Sequence, residues 1–588
     1  MSKFAALSEK HSATCFLNSL LREWNGYEIV NSNLETKVMI PVKDGAAIEL
    51  PLAKYSSLGR HEYTGFYLIH KNRERYAIEF SQLVNLLSEF LAEEFQTDAQ
   101  ALENFKSRVF ASQKTILKTL EKRSDEFGSF SLASWNFKNA EQALVIGHNF
   151  HPNPKSRDEF NEEDMNLYSP EWGGHFRLQW LVVRCNVLLQ KKSKSFADDL
   201  WTNKLMNQEG LELGGAFDSR EFIAVPMHPW QWAILKKQTL FQNYLQQNSI
   251  IELGTGHKEW YPTSSLRSVY CESAPYMLKF SMSVKLTNSI RHLLPREVER
   301  GLQLADVLAT PKGQEFLSLH PYFHIVIEPA YLCFRDEDGS PVAESLIVAR
   351  ENPFSSFEKA QGKILLATLT QADPLGGRNL IHKLLEQDHS DLPAKAKVKK
   401  WFNQYLHVTV KPILLAHANY GIILGAHQQN LILDFDGAYP KAAYFRDCQG
   451  TGYSQLGYEL FANQVSSISL ENGNVVSEKM GHYLFAYYLI LNSSFNVITA
   501  LTQDSPLSED ELLKDFKDFL IDLQSTELRD SSFIKYLLNE DRLMHKGNFI
   551  CSFKSINENT AVDPLAIYTP VQNPLKAHHL KEVHAQAH

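Results

Sequence analysis

Tyr276-Met277-Leu278-Lys279-Phe280-Ser281-Met282-Ser283-Val284-Lys285-Leu286 is the most regular stretch of the chain. Leu278, Phe280, Met282, Val284 and Leu286 alternate with Lys279, Ser281, Ser283 and Lys285. A period of two marks a strand with one face on a core and the other turned to water. The pattern predicts a strand over 276–286 with two lysines on its wet face. Phe323-His324-Ile325-Val326-Ile327-Glu328 reads as a second strand. Together they predict an antiparallel sheet in the middle of the chain, a platform suited to a ligand.

On either side of this sheet the periodicity changes. Phe16, Leu17, Leu20, Leu21 and Trp24 recur at helical spacing, as do Leu83, Val84, Leu87, Phe90 and Leu91. Apolar runs and the turn Lys43-Asp44-Gly45 between them predict a mixed N-terminal region ending near 140–146. Beyond the sheet the chain turns helical. Trp401, Tyr405 and Val408 share a face ahead of Pro412, and Ser508-Glu509-Asp510-Glu511 has the spacing of a capping box before an apolar helix. Asn430–Leu433 and Ala443–Arg446 flank Asp436-Gly437 and predict a hairpin within this helical part. The tail with His578, His579, His584 and His588 reads as a frayed end.

Composition narrows the class. The 588 residues are 44% hydrophobic and 22% charged, which is ordinary for a globular chain and argues against disorder. A net charge of −9 with a pI near 6.2 lacks the basic face of a nucleic-acid binder. No run approaches the roughly 18 consecutive apolar residues of a membrane span, and no apolar leader follows Met1. The six cysteines form no CxxC pair, which fits a reducing cytoplasm rather than a disulfide or zinc framework. GxxxxGK[ST], GxSxG, HExxH and a strand-to-helix GxGxxG are absent, so the sequence lacks the marks of a P-loop NTPase, an α/β-hydrolase, a zincin or a dinucleotide fold.

Three clusters carry anion chemistry. Gly147-His148-Asn149-Phe150-His151-Pro152-Asn153-Pro154-Lys155-Ser156-Arg157 is a loop by its glycine and prolines. It suits a polyanion, because Arg offers a planar fork and Lys a point charge; a solvated basic loop is the plainer reading. Thr263-Ser264-Ser265-Leu266-Arg267-Ser268, Lys279 and Thr287-Asn288-Ser289-Ile290-Arg291 put hydroxyls, one lysine and two arginines around the alternating strand. That inventory can hold phosphates and carboxylates, or it can be a salt-bridged sheet surface. His427-Gln428-Gln429-Asn430 and Asp447 bracket the hairpin, where an amide and a carboxylate oxygen can share Mg²⁺ with a nucleotide. A fourth group, His228-Pro229-Trp230-Gln231-Trp232, is dense in aromatics and reads as core.

These pieces, with Tyr168-Ser169-Pro170-Glu171 and Arg446-Asp447, stand in one order over about 147–447, and Cys15–Glu23 extends the likeness toward the start. The set resembles the NRPS-independent siderophore synthetases, the IucA/IucC family. The resemblance implies an α+β fold likened to a cupped hand: a mixed thumb over 1–145, antiparallel β fingers over 146–395 and a largely helical palm over 396–588 with the hairpin. It implies an ATP-dependent, AMP-forming carboxylate–amine ligase. A citrate carboxylate attacks the α-phosphorus of ATP, pyrophosphate leaves, and an amine attacks the citryl adenylate. The strings 285–291, 424–430 and 446–450 look most like the citrate-activating branch, whose acceptor is N6-acetyl-N6-hydroxylysine; diamines serve other members.

Carried onto this chain, the resemblance assigns Ser265, Arg267, Ser268 and Lys279 to the ATP phosphates. His427 and Asn430 complete the nucleotide pocket, and Asp447 with Asn430 binds Mg²⁺. Arg291, Thr287 and Asn288 grip citrate, with His151, Lys155 and Arg157 closing over the reacting anions. Arg267, Lys279, Arg291 and His427 form the implied catalytic set. Three positions depart from the common pattern: Ser268 stands for Thr, Asn149 for Pro and Gly425 for an acid. A cytoplasmic homo-oligomer acting on small molecules, with neither nucleic acid nor membrane as partner, is the further expectation. Competing readings are a synthetase acting on a citryl monoamide or another carboxylate, a kinase-like phosphotransferase, and a non-catalytic citrate- or siderophore-binding relative.

Overall fold

The computed structural model describes residues 2–576 apart from 33–34, 129–134, 213–216, 219, 287–288 and 557–564. Thr287, Asn288 and the C-terminal histidines therefore lie outside the described residues.

The N-terminal helix Lys3–Glu23 begins where the Ser2 side chain accepts from Ala5 N. Its buried stripe, including Phe16, Leu17 and Leu20, meets Phe80, Leu83 and Leu87 of helix Phe80–Glu94 and Phe105 and Val109 of helix Ala99–Gly128. An antiparallel six-stranded sheet built from 28–77 adds Val38, Ile40, Ile48 and Leu50 to that core. Phe549 and Phe553, from the far end of the chain, complete it.

In the middle, strands Tyr261–Pro262, Ser268–Tyr270, Tyr276–Phe280, Ile347–Glu351, Ala330–Phe334 and Leu188–Lys192 form one sheet in that order, every pair antiparallel. A three-stranded antiparallel sheet (Ile250–Thr255, Gln179–Arg184, Phe222–Met227) shares its core through Trp180, Trp260, Phe280 and Phe334.

Two sequence expectations need correction here. The strand starting at Tyr276 ends at Phe280, and only Lys285–Leu286 resumes as strand. Its polar face is dry: Lys279 and Ser281 are each 1% exposed. The alternation was real, but Asp447 and Glu328 cover Lys279, and Ala343 and Leu293 bond Ser281. The segment at 323–328 joins a different sheet. Phe323–Ile325 runs parallel to Tyr439–Phe445, beside Leu431–Asp436 and Lys363–Leu365.

The 431–445 hairpin forms as the sequence predicts, with Gly437 at φ +55° in its tight turn. The capping box at Ser508 also forms, each side chain bonding the other's backbone. Helix Ala394–Tyr405 does not stop before Pro412. A wider π turn, Leu406–Val410, carries it into helix Lys411–Tyr420, because Pro412 falls where a new first turn needs no N–H. Glu478–Thr502 spans 25 residues and is long and apolar enough to cross a membrane, yet 89% of its most apolar 18-residue stretch is buried inside the fold. It is a core helix, and its middle, Ala486–Ser494, is a π segment.

Candidate active site

Lys279 stands opposite Ser268 and Val348 on the central strand. Its Nζ donates to Asp447 Oδ1 at 2.5 Å and lies 3.5 Å from Glu328 Oε1. Glu328 in turn accepts from Arg350 Nε (2.9 Å) and Nη2 (2.6 Å). Asp447, Lys279, Glu328 and Arg350 thus form a chain of alternating charge. Burial pushes the Asp447 carboxyl up, but Lys279, Arg350 and Arg267 hold it well below the ordinary carboxylate range. Burial pushes the Lys279 ammonium down, and Asp447 and Glu328 oppose that. Asp447 sits in the left-handed region at φ +73°. Aspartate tolerates that region better than most residues, and the turn it makes aims the carboxylate at Lys279.

The turn before the strand is built to expose donors. Thr263 N donates to Ser268 O (2.8 Å) and Leu266 N to Thr263 O (2.8 Å), which forces Leu266 to φ +70°. The turn is anchored by Glu141, whose Oε2 accepts from Ser264 N (2.8 Å) while Oε1 lies 2.6 Å from Arg446 Nη1. Ser268 Oγ is buried without a hydrogen-bond partner among the described residues.

His427 lies in the turn leading into the hairpin. Asn430 N donates to His427 O (2.7 Å), Asn430 Nδ2 to Gly425 O (3.0 Å), and Gln429 N to His427 Nδ1 (3.0 Å). That last bond places the imidazole proton on Nε2. Burial holds His427 near pKa 4, against the pull of Asp447, so it is a neutral donor at pH 7. Gly425 needs no special backbone: its φ is not positive, and an added Cβ would come no closer than 3.4 Å to Gly450 O.

Two cavities meet at these residues. One, of about 730 Å³, is walled by Ser265, Arg267, Ser268, Arg350, Asn430, Arg446 and Asp447. The other, of about 990 Å³, is walled by His148, His151, Lys155, Arg157, Tyr487, Lys546 and Asn548. Arg291, His427, Gln429 and Tyr488 line both. Such a shared wall suits two anions that must react with one another.

The 147–157 loop is not solvated. His151, Asn153, Lys155 and Arg157 are all buried. Arg157 pairs with Glu171 through both guanidinium nitrogens, and Lys155 Nζ lies 3.5 Å from Glu171 Oε2. Burial lowers the Lys155 ammonium to about 8 despite Glu171. Opposite the loop, the π segment turns Asn492 Nδ2 to His148 Nε2 (2.8 Å) and its Oδ1 to Gln428 N (3.3 Å). π turns concentrate at functional sites.

Of the residues singled out in the sequence, Ser265, Arg267, Ser268, His151, Lys155, Arg157, Arg291, His427, Asn430 and Asp447 line the two cavities. Lys279 is among neither set of lining residues; it stands behind Asp447. Sequence reasoning missed Arg350, Tyr488, Lys546 and the carboxylates Glu141 and Glu328. It quoted Glu171 and Arg446 without giving them a role. Each is a single residue in an unremarkable string, and only their convergence in space marks them.

Comparison with known proteins places this geometry. Residues 136–371 match the IucA / IucC family model, and residues 399–561 match that of the ferric iron reductase FhuF-like transporter. N(2)-citryl-N(6)-acetyl-N(6)-hydroxylysine synthase of Vibrio mimicus is 35% identical over 97% of this chain and 96% of its own length. The Escherichia coli synthase of the same name is 30% identical over 96% and 97%. The ATP-bound structure of aerobactin synthetase IucA from Klebsiella pneumoniae superposes with a TM-score of 0.87, at 30% identity over 97% of this chain and 100% of that one. With full-length similarity at this level, the chain belongs to the IucA/IucC family of siderophore synthetases.

Proposed function

We propose that the protein is an ATP-dependent ligase that activates a citrate carboxylate as citryl-AMP, releasing pyrophosphate, and joins it to an amine such as N6-acetyl-N6-hydroxylysine or a diamine. The carrying observation is the pair of cavities that share Arg291 and His427, one rich in phosphate-binding groups and the other in cations suited to carboxylates. The names of the full-length relatives support the same chemistry.

In this reading, Ser265, Arg267, Ser268 and Arg350 receive the triphosphate. Arg291 holds a citrate carboxylate by a bidentate pair and orients another toward the α-phosphorus. His427, neutral with its proton on Nε2, donates to an oxygen that gains charge as the P–O bond breaks. Lys155, with its lowered ammonium, and Arg157 are held by Glu171 and neutralise the second cavity. Lys279 acts one step back, fixing Asp447.

Among the described residues no three His, Cys, Asp or Glu side chains gather as a metal cage. Mg²⁺ needs only one or two protein oxygens when phosphates and waters supply the rest. Asp447 and the Asn430 amide oxygen would hold it, and it would offset charge on the phosphates. A cytoplasmic homo-oligomer is part of the same proposal.

The test is pyrophosphate release from ATP and Mg²⁺ with citrate, succinate or α-ketoglutarate, trapped by hydroxylamine. Release with citrate alone is expected. ADP in place of AMP would favour a phosphotransferase. Release only with a preformed citryl amide would move the enzyme to a later step, and no release with any acid would favour a binding protein.

A further inference from the structure

A third cavity, of about 970 Å³, shares no lining residue with the two that form the reaction site. It lies between the N-terminal helix and the apolar core helix, behind the loop that carries His148. Ile146 and Asn149 face it, whereas Gly147 and His148 face the reaction cleft.

Arg60 lines this cavity and is 8% exposed. No hydrogen bond or ion pair engages its guanidinium among the described residues, and Nη1 is fully enclosed without a partner. Every other strongly buried arginine described around the reaction site is tied to a carboxylate: Arg157 to Glu171, Arg350 to Glu328, Arg446 to Glu141. A buried charge without a counterion is costly, which is why buried charges are normally paired. Burial accordingly lowers the Arg60 guanidinium, and Glu62, Cys15 and Glu509 only partly oppose it.

Glu62, Asp373 and Asp504 line the same cavity. Asp373 is matched by Lys383 at 2.9 Å, while among the described residues Glu62 accepts from the neutral Gln503 amide alone, at 3.2 Å. A multiply charged anion such as citrate would meet these carboxylates. A molecule with one carboxylate and one ammonium would match both signs. We propose that this cavity, with Arg60 in its wall, is a binding site for a free amino acid, carboxylate on Arg60 and ammonium among Glu62 and Asp504. The loop that separates it from the reaction cleft gives an occupant a means of acting on His148: Asn149 Nδ2 donates to Asn496 Oδ1, one turn of helix from the Asn492 that holds His148.

The test is calorimetric titration of the full chain with L-lysine, L-serine, acetate, ethylammonium and citrate. Amino acids should bind more tightly than acetate or ethylammonium alone. Arg60→Met, close in volume, should weaken that binding about 10- to 150-fold, the range for a lost charge-assisted hydrogen bond. Glu62→Gln provides a second variant should Arg60→Met not fold. Arg291→Ala should leave amino-acid binding intact, which separates this site from the reaction cleft. Absence of amino-acid binding, binding that survives both Arg60→Met and Glu62→Gln, binding lost in Arg291→Ala, or binding of citrate alone would overturn the proposal.

Discussion

Arg291 and Asp447 occupy different stations in the site, and their replacement should separate its two halves. Arg291 lines both cavities, so Arg291→Ala should raise the citrate KM by roughly 10- to 150-fold, matching about 1.5–3 kcal/mol for a charged hydrogen bond. Steady-state kinetics with citrate varied at saturating ATP checks this; an unchanged citrate dependence would displace the carboxylate pocket. Asp447→Asn removes the charge that faces Lys279 and the cavity proposed for the phosphates. Its activity should require a higher Mg²⁺ concentration, read from a Mg²⁺ titration of pyrophosphate release. Full activity at low Mg²⁺ would rule Asp447 out as a metal ligand.

At the scale of elements, what the sequence revealed depended on how local the cause was. The 431–445 hairpin and the capping box at Ser508 rest on short-range chemistry and could be read directly. Ser508→Ala should cost about 1 kcal/mol and raise amide exchange in the first turn of helix Glu509–Gln524, with the rest of the chain unaffected. The strand at Tyr276 could be read as a strand, but its dry polar face could not. What buries Lys279 is Asp447 and Glu328, 168 and 49 residues away in sequence. The parallel pairing of Phe323–Ile325 and the π segment 486–494 are likewise set by tertiary packing, and neither has a periodic signature. The candidate site was legible where basic and hydroxyl residues cluster in sequence. It was illegible where a lone Glu141, Glu171 or Glu328 positions them.

For the whole molecule, the proposed regions 1–145, 146–395 and 396–588 share their cores: the largest apolar cluster takes Leu58, Ile116 and Val145 from the first and most of the third. Leu304, Phe316, Ile364 and Leu384 of the middle region pack into the same cluster. Buried histidines are spread over all three regions. Burial lowers His11, His61, His417 and His427 to about 4 and His148 and His228 to about 3. The unfolded chain takes these protons near 6.5, before the folded one. Stability from these groups is therefore present above pH 6.5 and is lost as pH falls from 6.5 toward 4. Each histidine can contribute a slope of up to about 1.4 kcal/mol per pH unit in that window. Melting temperatures measured from pH 7.5 to 4.5 should drop steeply, and His228→Phe, which replaces an imidazole with neither nitrogen bonded among the described residues, should soften the drop.

Phe549 packs edge-on against Phe16 at 5.4 Å and against Phe105 at 5.4 Å, and Glu23 receives the N–H groups of Phe549 and Ile550 at 2.9 Å each. Helix Lys3–Glu23 thus completes its core with a segment that lies 526 residues later in sequence. At about 5–20 residues per second, the N-terminal core waits on the order of half a minute or more with that gap open. For that interval the nascent chain carries an uncovered aromatic socket. A chain truncated before Phe549 would be full of secondary structure and still unclosed.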